Sequence, residues 1–485
     1  MSAEEGTIEH MFEISLPSLA ELNEWAEPEL IDAMSQAIRY ERAAMASKLI
    51  AAGQVCERRT AGFDDADRAN WVIDDWERTA AEVGAALNIP GKRASVYMRY
   101  GMTLVRELPR FGAVCAAGLV DLAVIASVHL RTGLVLDDQI RAAIDEELAR
   151  RAPKWNKMPR EKIDERVDWI VIQHDPAAQR VVKAADRDRH VTIGSAFNGM
   201  VELWGKLRPL DAAALDRRLS ELARTVCRND PRTAVQRRAD SVAALVAGQT
   251  SIACTCGAEH CAAANKGASP YNVVVNVVTD NGATSGGDGN FALVPGYGPI
   301  APDVVAELQK TAKQRTVEIP RDASPEPNYR PSAALANFVR CRDLTCRFPG
   351  CAVPAEFADI DHTVPHPLGP THAANLKLLC RTHHLLKTFF AGPNGWLDRQ
   401  LADGTVVWTS PAGKTYVTEP GGAEFFPQLA APTDGAPQVQ TDRSVTKTRA
   451  TMPLRRRTRA QDRAYRIRCE RNANEARIAA NPPPF

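Results

Sequence analysis

The chain has no long apolar run. Its most apolar stretch, Gly118 to Leu136, is interrupted by Asp121, His129 and Arg131, whereas a membrane span needs about 20 mostly apolar residues. A membrane-embedded protein is therefore not expected. A secretion signal is also lacking: the first ten residues, MSAEEGTIEH, are acidic and show no basic, apolar and small-residue order, which points to a cytoplasmic protein. No internal repeat of fixed period is found. Net charge is nearly absent, with 60 Lys and Arg against 59 Asp and Glu giving +1, so the average argues for neither nucleic acid nor acidic ligands. That balance hides an uneven distribution. From Gln440 onward 12 basic residues face four acidic ones, a net of +8, and the first 439 residues carry −7.

What is present suits several globular domains. At roughly 150 residues per domain, 485 residues suggest about three. The reading is multidomain: a mainly α N-terminal domain over residues 1–265, a small α/β insert and linker over 266–330, a C-terminal module over 331–427, and a basic, disordered tail over 428–485. From Glu27 to Ala247 apolar residues recur at spacings of three and four, as in Leu30, Ile31, Met34 and Ile38, the periodicity of helices. Arg78 to Leu87, the turn Asn88-Ile89-Pro90-Gly91, and Lys92 to Leu108 read as helix, turn, helix. Lys92, Arg93 and Arg99 then lie on the second helix, compatible with a DNA-reading helix-turn-helix or with an ordinary helical hairpin. In the insert, the β-branched run Val273 to Val278 and Phe291 to Val294 read as strands, and Ala301 to Thr311 as a helix. Pro320 to Pro331 is a linker. Trp396 to Tyr416 alternates between Asp403-Gly404 and Ala412-Gly413 turns, as short strands do.

The 11 cysteines are odd in number and clustered, which in a reducing compartment points to metal before disulfide. Cys346-Arg-Phe-Pro-Gly-Cys351 sets two sulfurs on either side of a Pro-Gly turn, and Cys380-Arg-Thr-His383 offers two more ligands one helical turn apart. A tetrahedral zinc site of three cysteines and one histidine follows. Five of the ten histidines lie between His362 and His384. Asp361 beside His362, with His384 on the following helix, offers hard oxygen and nitrogen ligands for a second, catalytic divalent ion. If Asp361 lies in a strand, alternation turns His362 to the opposite side, so one residue can hold metal while its neighbour faces substrate. Cys254, Cys256 and Cys261, near His260, form another candidate zinc site whose fourth ligand must come from elsewhere. Arg455, Arg456, Arg457 and Arg459 in the tail are suited to DNA phosphates. Trp396, Trp408 and Tyr416 suit packing better than base stacking, while His366 and His372 suit a surface-loop role better than direct catalysis.

The spacing Cys346-x4-Cys351, Asp361-His362-Thr-Val-Pro365, Asn375-Leu376-x2-Leu379-Cys380-x2-His383-His384-x2-Lys387 resembles the HNH endonuclease motif, the ββα-metal nuclease fold. With the long helical region before it, the chain resembles the actinobacterial 13E12-repeat proteins, which join a domain of unknown function, number 222, to a C-terminal HNH domain. The resemblance implies that His362 is the general base, that Asp361 and His384 hold Mg²⁺ or Mn²⁺, and that Asn375 fixes the loop that orients His362. One departure is that HNH zinc knuckles usually carry a fourth cysteine where this chain has His383. That leaves His383 and His384 as competing catalytic-metal ligands, and the spacing to Lys387 favours His384. The expected function is a divalent-metal-dependent DNA endonuclease, and its rival a non-cleaving DNA-binding or regulatory protein. With one active site per module, cutting both strands requires a homodimer or two successive nicks. With a reference histidine pKa of about 6.5, activity should fall below about pH 6.

Overall fold

A computed structural model of the chain describes residues 16–60, 68–180, 189–197, 200–264, 277–279, 292–294, 298–300, 305, 315–321, 324–392, 394–433 and 451–480. They fall into two compact units, one built from 1–181, 319–420 and 430–485, the other from 182–318 and 421–429. Helices dominate, with small antiparallel sheets. Among the described residues no helix is long and apolar enough to cross a membrane.

After a short helical segment, Leu19–Glu24, the first unit contains helices α1 (Glu27–Thr60), α2 (Asp75–Leu87), α3 (Gly91–Met102), α4 (Pro109–Ala116), α5 (Leu122–Thr132), α6 (Asp138–Arg151) and α7 (Arg160–His174). Their apolar faces meet in a core that includes Leu49, Leu104, Phe111, Ile125, Leu148 and Ile170. Close approach of α1 and α3 depends on glycine, because a Cβ at Gly101 would lie 2.0 Å from the Leu49 carbonyl oxygen. The expected helix-turn-helix is α2 and α3. The Asp74 carboxylate caps α2 by accepting the Glu77 amide, and Asn88 at φ 51° closes it in the left-handed conformation that asparagine tolerates. The second helix stops at Met102 and passes into a π-helical turn, Thr103–Glu107, before Pro109, whose ring and missing N–H require a new start.

In the second unit, β1 (His190–Phe197) and β2 (Met200–Lys206) form an antiparallel hairpin inside the stretch expected to be helical. The competing signal was local: Val191 and Ile193 alternate, and an Asn-Gly pair follows Phe197. Helices α8 (Pro209–Ala223) and α9 (Ala234–Val246) pack together around Leu222, Ala244 and Ile252. Strands β3 (Val278–Thr279), β4 (Ala292–Val294) and β5 (Gly298–Ile300) pair antiparallel. The expected helix from Ala301 to Thr311, apart from Val305, and residues 273–276 of the expected strand lie outside the described residues.

The chain returns to the first unit with α10 (Ala333–Asp343), then the antiparallel pair β6 (Ala358–His362) and β7 (Leu376–Cys380), then α11 (Arg381–Phe389). A three-stranded sheet follows, β8 (Leu397–Gln400), β9 (Val406–Thr409) and β10 (Thr415–Thr418). Trp396 and Trp408 are fully buried in the core beneath it, as the packing reading expected. Part of the expected disordered tail is ordered, because Arg459–Ala480 forms the helix α12; residues 434–450 and 481–485 of it lie outside the described residues. Arg455 and Arg459 both pair with Asp74, Arg463 with Glu107 at 3.0 Å and Arg471 with Asp175 at 2.7 Å. Acidic side chains of the helical region thus supply the partners that a solvated tail would lack.

Candidate metal centre

Cys346, Cys351, Cys380 and His383 converge, with ligand atoms all within 4.8 Å of one another. The two pairs arrive from different elements. Cys346 and Cys351 flank a knuckle closed by the Cys346 amide donating to the Val353 carbonyl at 2.8 Å and the Cys351 amide donating to the Phe348 carbonyl at 3.0 Å. Cys380 ends β7 and His383 sits in the first turn of α11, so the strand-to-helix turn delivers the second pair. His383 Nδ1 lies 3.4 Å from Cys346 Sγ and 3.3 Å from Cys380 Sγ. Phe348 stacks on the His383 ring at 3.9 Å and meets Trp396 and Trp408 edge-on, which fixes the imidazole. Gly350 has φ +74°, and a Cβ there would lie 2.7 Å from the Ile89 carbonyl oxygen, so the α2–α3 turn abuts the knuckle. A tetrahedral sulfur-rich set of this kind could hold a metal such as zinc.

A second donor set lies alongside. Asp361 and His362 are adjacent in β6, and His384 follows His383 on α11. His384 Nε2 faces Asp361 Oδ1 at 3.6 Å, while its Nδ1 contacts Asp359 Oδ2 at 3.0 Å. The geometry thus separates the two competing histidines: His383 joins the sulfurs and His384 joins the carboxylates. Oxygen and nitrogen donors suit Mg²⁺ or Mn²⁺. Asn375 clamps the intervening loop. Its Oδ1 accepts the Val364 amide at 2.8 Å, and its Nδ2 donates to the Val364 and Pro370 carbonyls at 3.0 and 2.8 Å.

His362 is buried, and its Nε2 lies 2.9 Å from Thr371 Oγ1. That hydroxyl lies 2.7 Å from the Asn328 carbonyl, which can only accept. Thr371 therefore donates to Asn328 and accepts from His362 Nε2–H, leaving Nδ1 as the nitrogen with a free lone pair. Tyr329 stacks on the imidazole at 5.2 Å. Burial pushes the His362 pKa down to about 4; Asp361 opposes this, and His366, Lys387 and Lys377 reinforce it. The threshold near pH 6 expected from an ordinary histidine moves down accordingly.

Sequence reasoning missed Lys377 and used Lys387 only as a spacing marker. Lys377, fully buried on β7, reaches Asp361 Oδ2 at 2.9 Å and Asp398 Oδ2 at 2.7 Å, and Lys387 also bonds Asp361 Oδ2 and the His362 carbonyl. Burial raises the Asp361 pKa, but Lys377 and Lys387 outweigh it and hold the carboxyl below its ordinary value. An apolar residue at 377 would leave Asp361 and Asp398 buried without that charge. Lys377→Met should therefore destabilise the first unit by on the order of 3–5 kcal/mol in urea denaturation. A loss of about 1 kcal/mol or less, as for an exposed pair, would contradict this arrangement. Alternation of apolar and polar residues could not reveal it, because β7 is buried at all five positions.

Other expected residues are distributed as follows. Cys254, Cys256 and Cys261 gather with Cys227, which lies 27 residues upstream of Cys254; His260 is not in the cluster. Arg455 and Arg459 are engaged by Asp74 and Glu77, whereas Arg456 and Arg457 are exposed, as are Lys92, Arg93 and Arg99 on α3. His372, expected at the surface of its loop, is instead buried, and its Nδ1 accepts the Ala374 amide; His366 stands beside His362 at 5.8 Å.

A family model described as "Domain of unknown function (DUF222)" matches residues 36–343. Its end at Asp343 leaves Cys346, Cys351, Cys380 and His383 beyond it. The Uncharacterized protein Rv2100 of Mycobacterium tuberculosis strain H37Rv is 42% identical over 521 residues, covering 99% of this chain and 94% of that protein. The Uncharacterized protein Rv3776 of the same strain is 41% identical over 488 residues, covering 95% and 93%. No solved structure matches the chain.

Proposed function

The chain belongs to the DUF222 family, and from that premise we propose that its C-terminal module is a zinc-stabilised HNH endonuclease hydrolysing phosphodiester bonds of DNA. The observation that carries the reading is the approach of His384 Nε2 to Asp361 Oδ1 at 3.6 Å, beside the neutral imidazole of His362. Phosphodiester hydrolysis needs a deprotonated nucleophile near neutral pH, and His362 takes the proton from water at Nδ1. Thr371 is its positioning residue, fixing the tautomer, and Asn375 holds the loop from Thr363 to Pro370. Mg²⁺ or Mn²⁺ held by Asp361 and His384 would stabilise the charge on the phosphate and on the leaving oxygen. Zinc held by Cys346, Cys351, Cys380 and His383 fixes the knuckle to α11, which carries His384. The exposed Arg456 and Arg457, with Lys92, Arg93 and Arg99 of α3, are the residues proposed to contact DNA phosphates.

One observation favours the rival reading, a non-cleaving DNA-binding or regulatory protein. Lys377 and Lys387 both bond Asp361 Oδ2, placing two positive charges where the nuclease needs a cation. Manganese titration of the zinc-loaded chain, followed by electron paramagnetic resonance, separates the two. The nuclease reading expects one Mn²⁺ per chain and at least about tenfold weaker binding in His384→Ala. Equal binding in both would turn the assignment to the rival.

A further inference from the structure

The second unit holds a cysteine cluster that the nuclease reading does not use. The sulfurs of Cys227, Cys254, Cys256 and Cys261 lie within 4.8 Å of one another, and all four cysteines are free thiols. Cys227 follows α8, and the other three sit in the loop after α9, so the cluster joins the two ends of a helical hairpin. Cys254 Sγ lies 3.5 Å from Cys227 Sγ, and the Cys261 amide donates to the Ala258 carbonyl at 3.1 Å, closing the turn that carries Cys261. Gly257, at φ +70°, allows the chain to reverse between Cys256 and Cys261.

The surrounding bonds hold these loops together. Arg232 reaches Asp230 Oδ2 at 2.8 Å and the Ala253 carbonyl at 2.7 Å, and the Thr255 amide donates to Asp230 Oδ2 at 3.0 Å. The Cys254 amide donates to the Ala263 carbonyl at 3.0 Å. The apolar support is slight: among the described residues, the hairpin's buried cluster is Leu222, Ala244 and Ile252, with Val226 and Leu245 partly buried against it. A core of that size needs a staple.

We propose that Cys227, Cys254, Cys256 and Cys261 form a tetrathiolate zinc site that fastens the loop after α9 to the end of α8. Four soft ligands from the protein close the tetrahedron, which is the arrangement of a structural rather than a catalytic zinc. The site is independent of the nuclease reading. It also supplies the missing fourth ligand to the cluster seen in sequence.

The test uses the full chain purified under reducing conditions, with metals measured by mass spectrometry and thiols mapped by alkylation and peptide analysis. The expected content is two zinc ions per chain, one in Cys227→Ser, one in Cys346→Ala and none in the double variant. In the unmodified chain all four sulfurs should resist alkylation as purified and become reactive once a chelator is added without reductant. That second measurement does not depend on a variant folding. Iron in place of zinc, alkylation of the four cysteines without chelator, or protection that yields only to reductant would each overturn the proposal. One zinc per chain, unaffected by Cys227→Ser, would do the same while leaving the C-terminal site intact.

Discussion

Replacing His362 by alanine should lower single-turnover DNA cleavage by about 10²–10⁴-fold, the usual contribution of a positioned general base, while zinc content and folding stay unchanged. Retention of the fold follows from the geometry. The backbone of residue 362 pairs with Leu376 in the β6–β7 ladder, and among the described residues the side-chain hydrogen bond lost is the one to Thr371. The pH profile gives a second readout. A histidine with its pKa pushed down to about 4 is neutral, and so competent as a base, at every pH above that value; competence is lost only as pH falls through it. The rate should therefore stay level from about pH 8 to 5.5, where an ordinary imidazole with a pKa of about 6.5 would already be mostly protonated. A limb centred between about pH 6 and 6.5 would contradict the buried environment of His362. An unchanged rate in His362→Ala would remove it as the base.

Cys346→Ala should abolish zinc binding at the C-terminal site and unfold the module around it. Structural zinc in small domains contributes apparent binding energies on the order of 10–16 kcal/mol, and that energy is folding energy. Here a metal held by the four residues would tie the knuckle to β7 and α11, and His383 packs on Phe348, which in turn packs on Trp396 and Trp408. Loss of zinc should therefore redden tryptophan emission as these two indoles meet water. The chelator-treated unmodified chain should give the same shift. His362→Ala should give neither effect, and equal zinc loss in both variants would defeat the separation of structural from catalytic roles. Native emission in zinc-free Cys346→Ala would show that the aromatic core holds the module without metal.

The parts legible in sequence were those with short, chemically restrictive spacing. Cys346 and Cys351 bracket a turn, Cys380 and His383 lie one helical turn apart, and each pair needs only its own local conformation to be right. The same holds for the Asn88–Pro90 turn, where the residue types set the backbone directly. What sequence left hidden depends on partners far along the chain. Cys227 joins its cluster only because α8 and α9 fold back on each other, and no spacing rule links it to Cys254. Lys377 reads as a surface charge until Asp361 and Asp398 are brought to it from two other strands. The segment 459–480, rich in arginine, reads as a solvated tail because Asp74, Glu77, Glu107 and Asp175, which pair with the arginines in and just before it, come from helices and helix ends 296 to 382 residues earlier. Spacing to Lys387 favoured His384 over His383, and the turn from β7 into α11 points His383 at sulfur and His384 at Asp361.

The most direct measurement is cleavage of supercoiled plasmid by the purified full chain in Mg²⁺, in Mn²⁺ and in EDTA, beside His362→Ala at matched zinc content. The nuclease account predicts metal-dependent conversion to nicked or linear DNA, absent in EDTA and in the variant. DNA that is bound but left intact in both metals would contradict it.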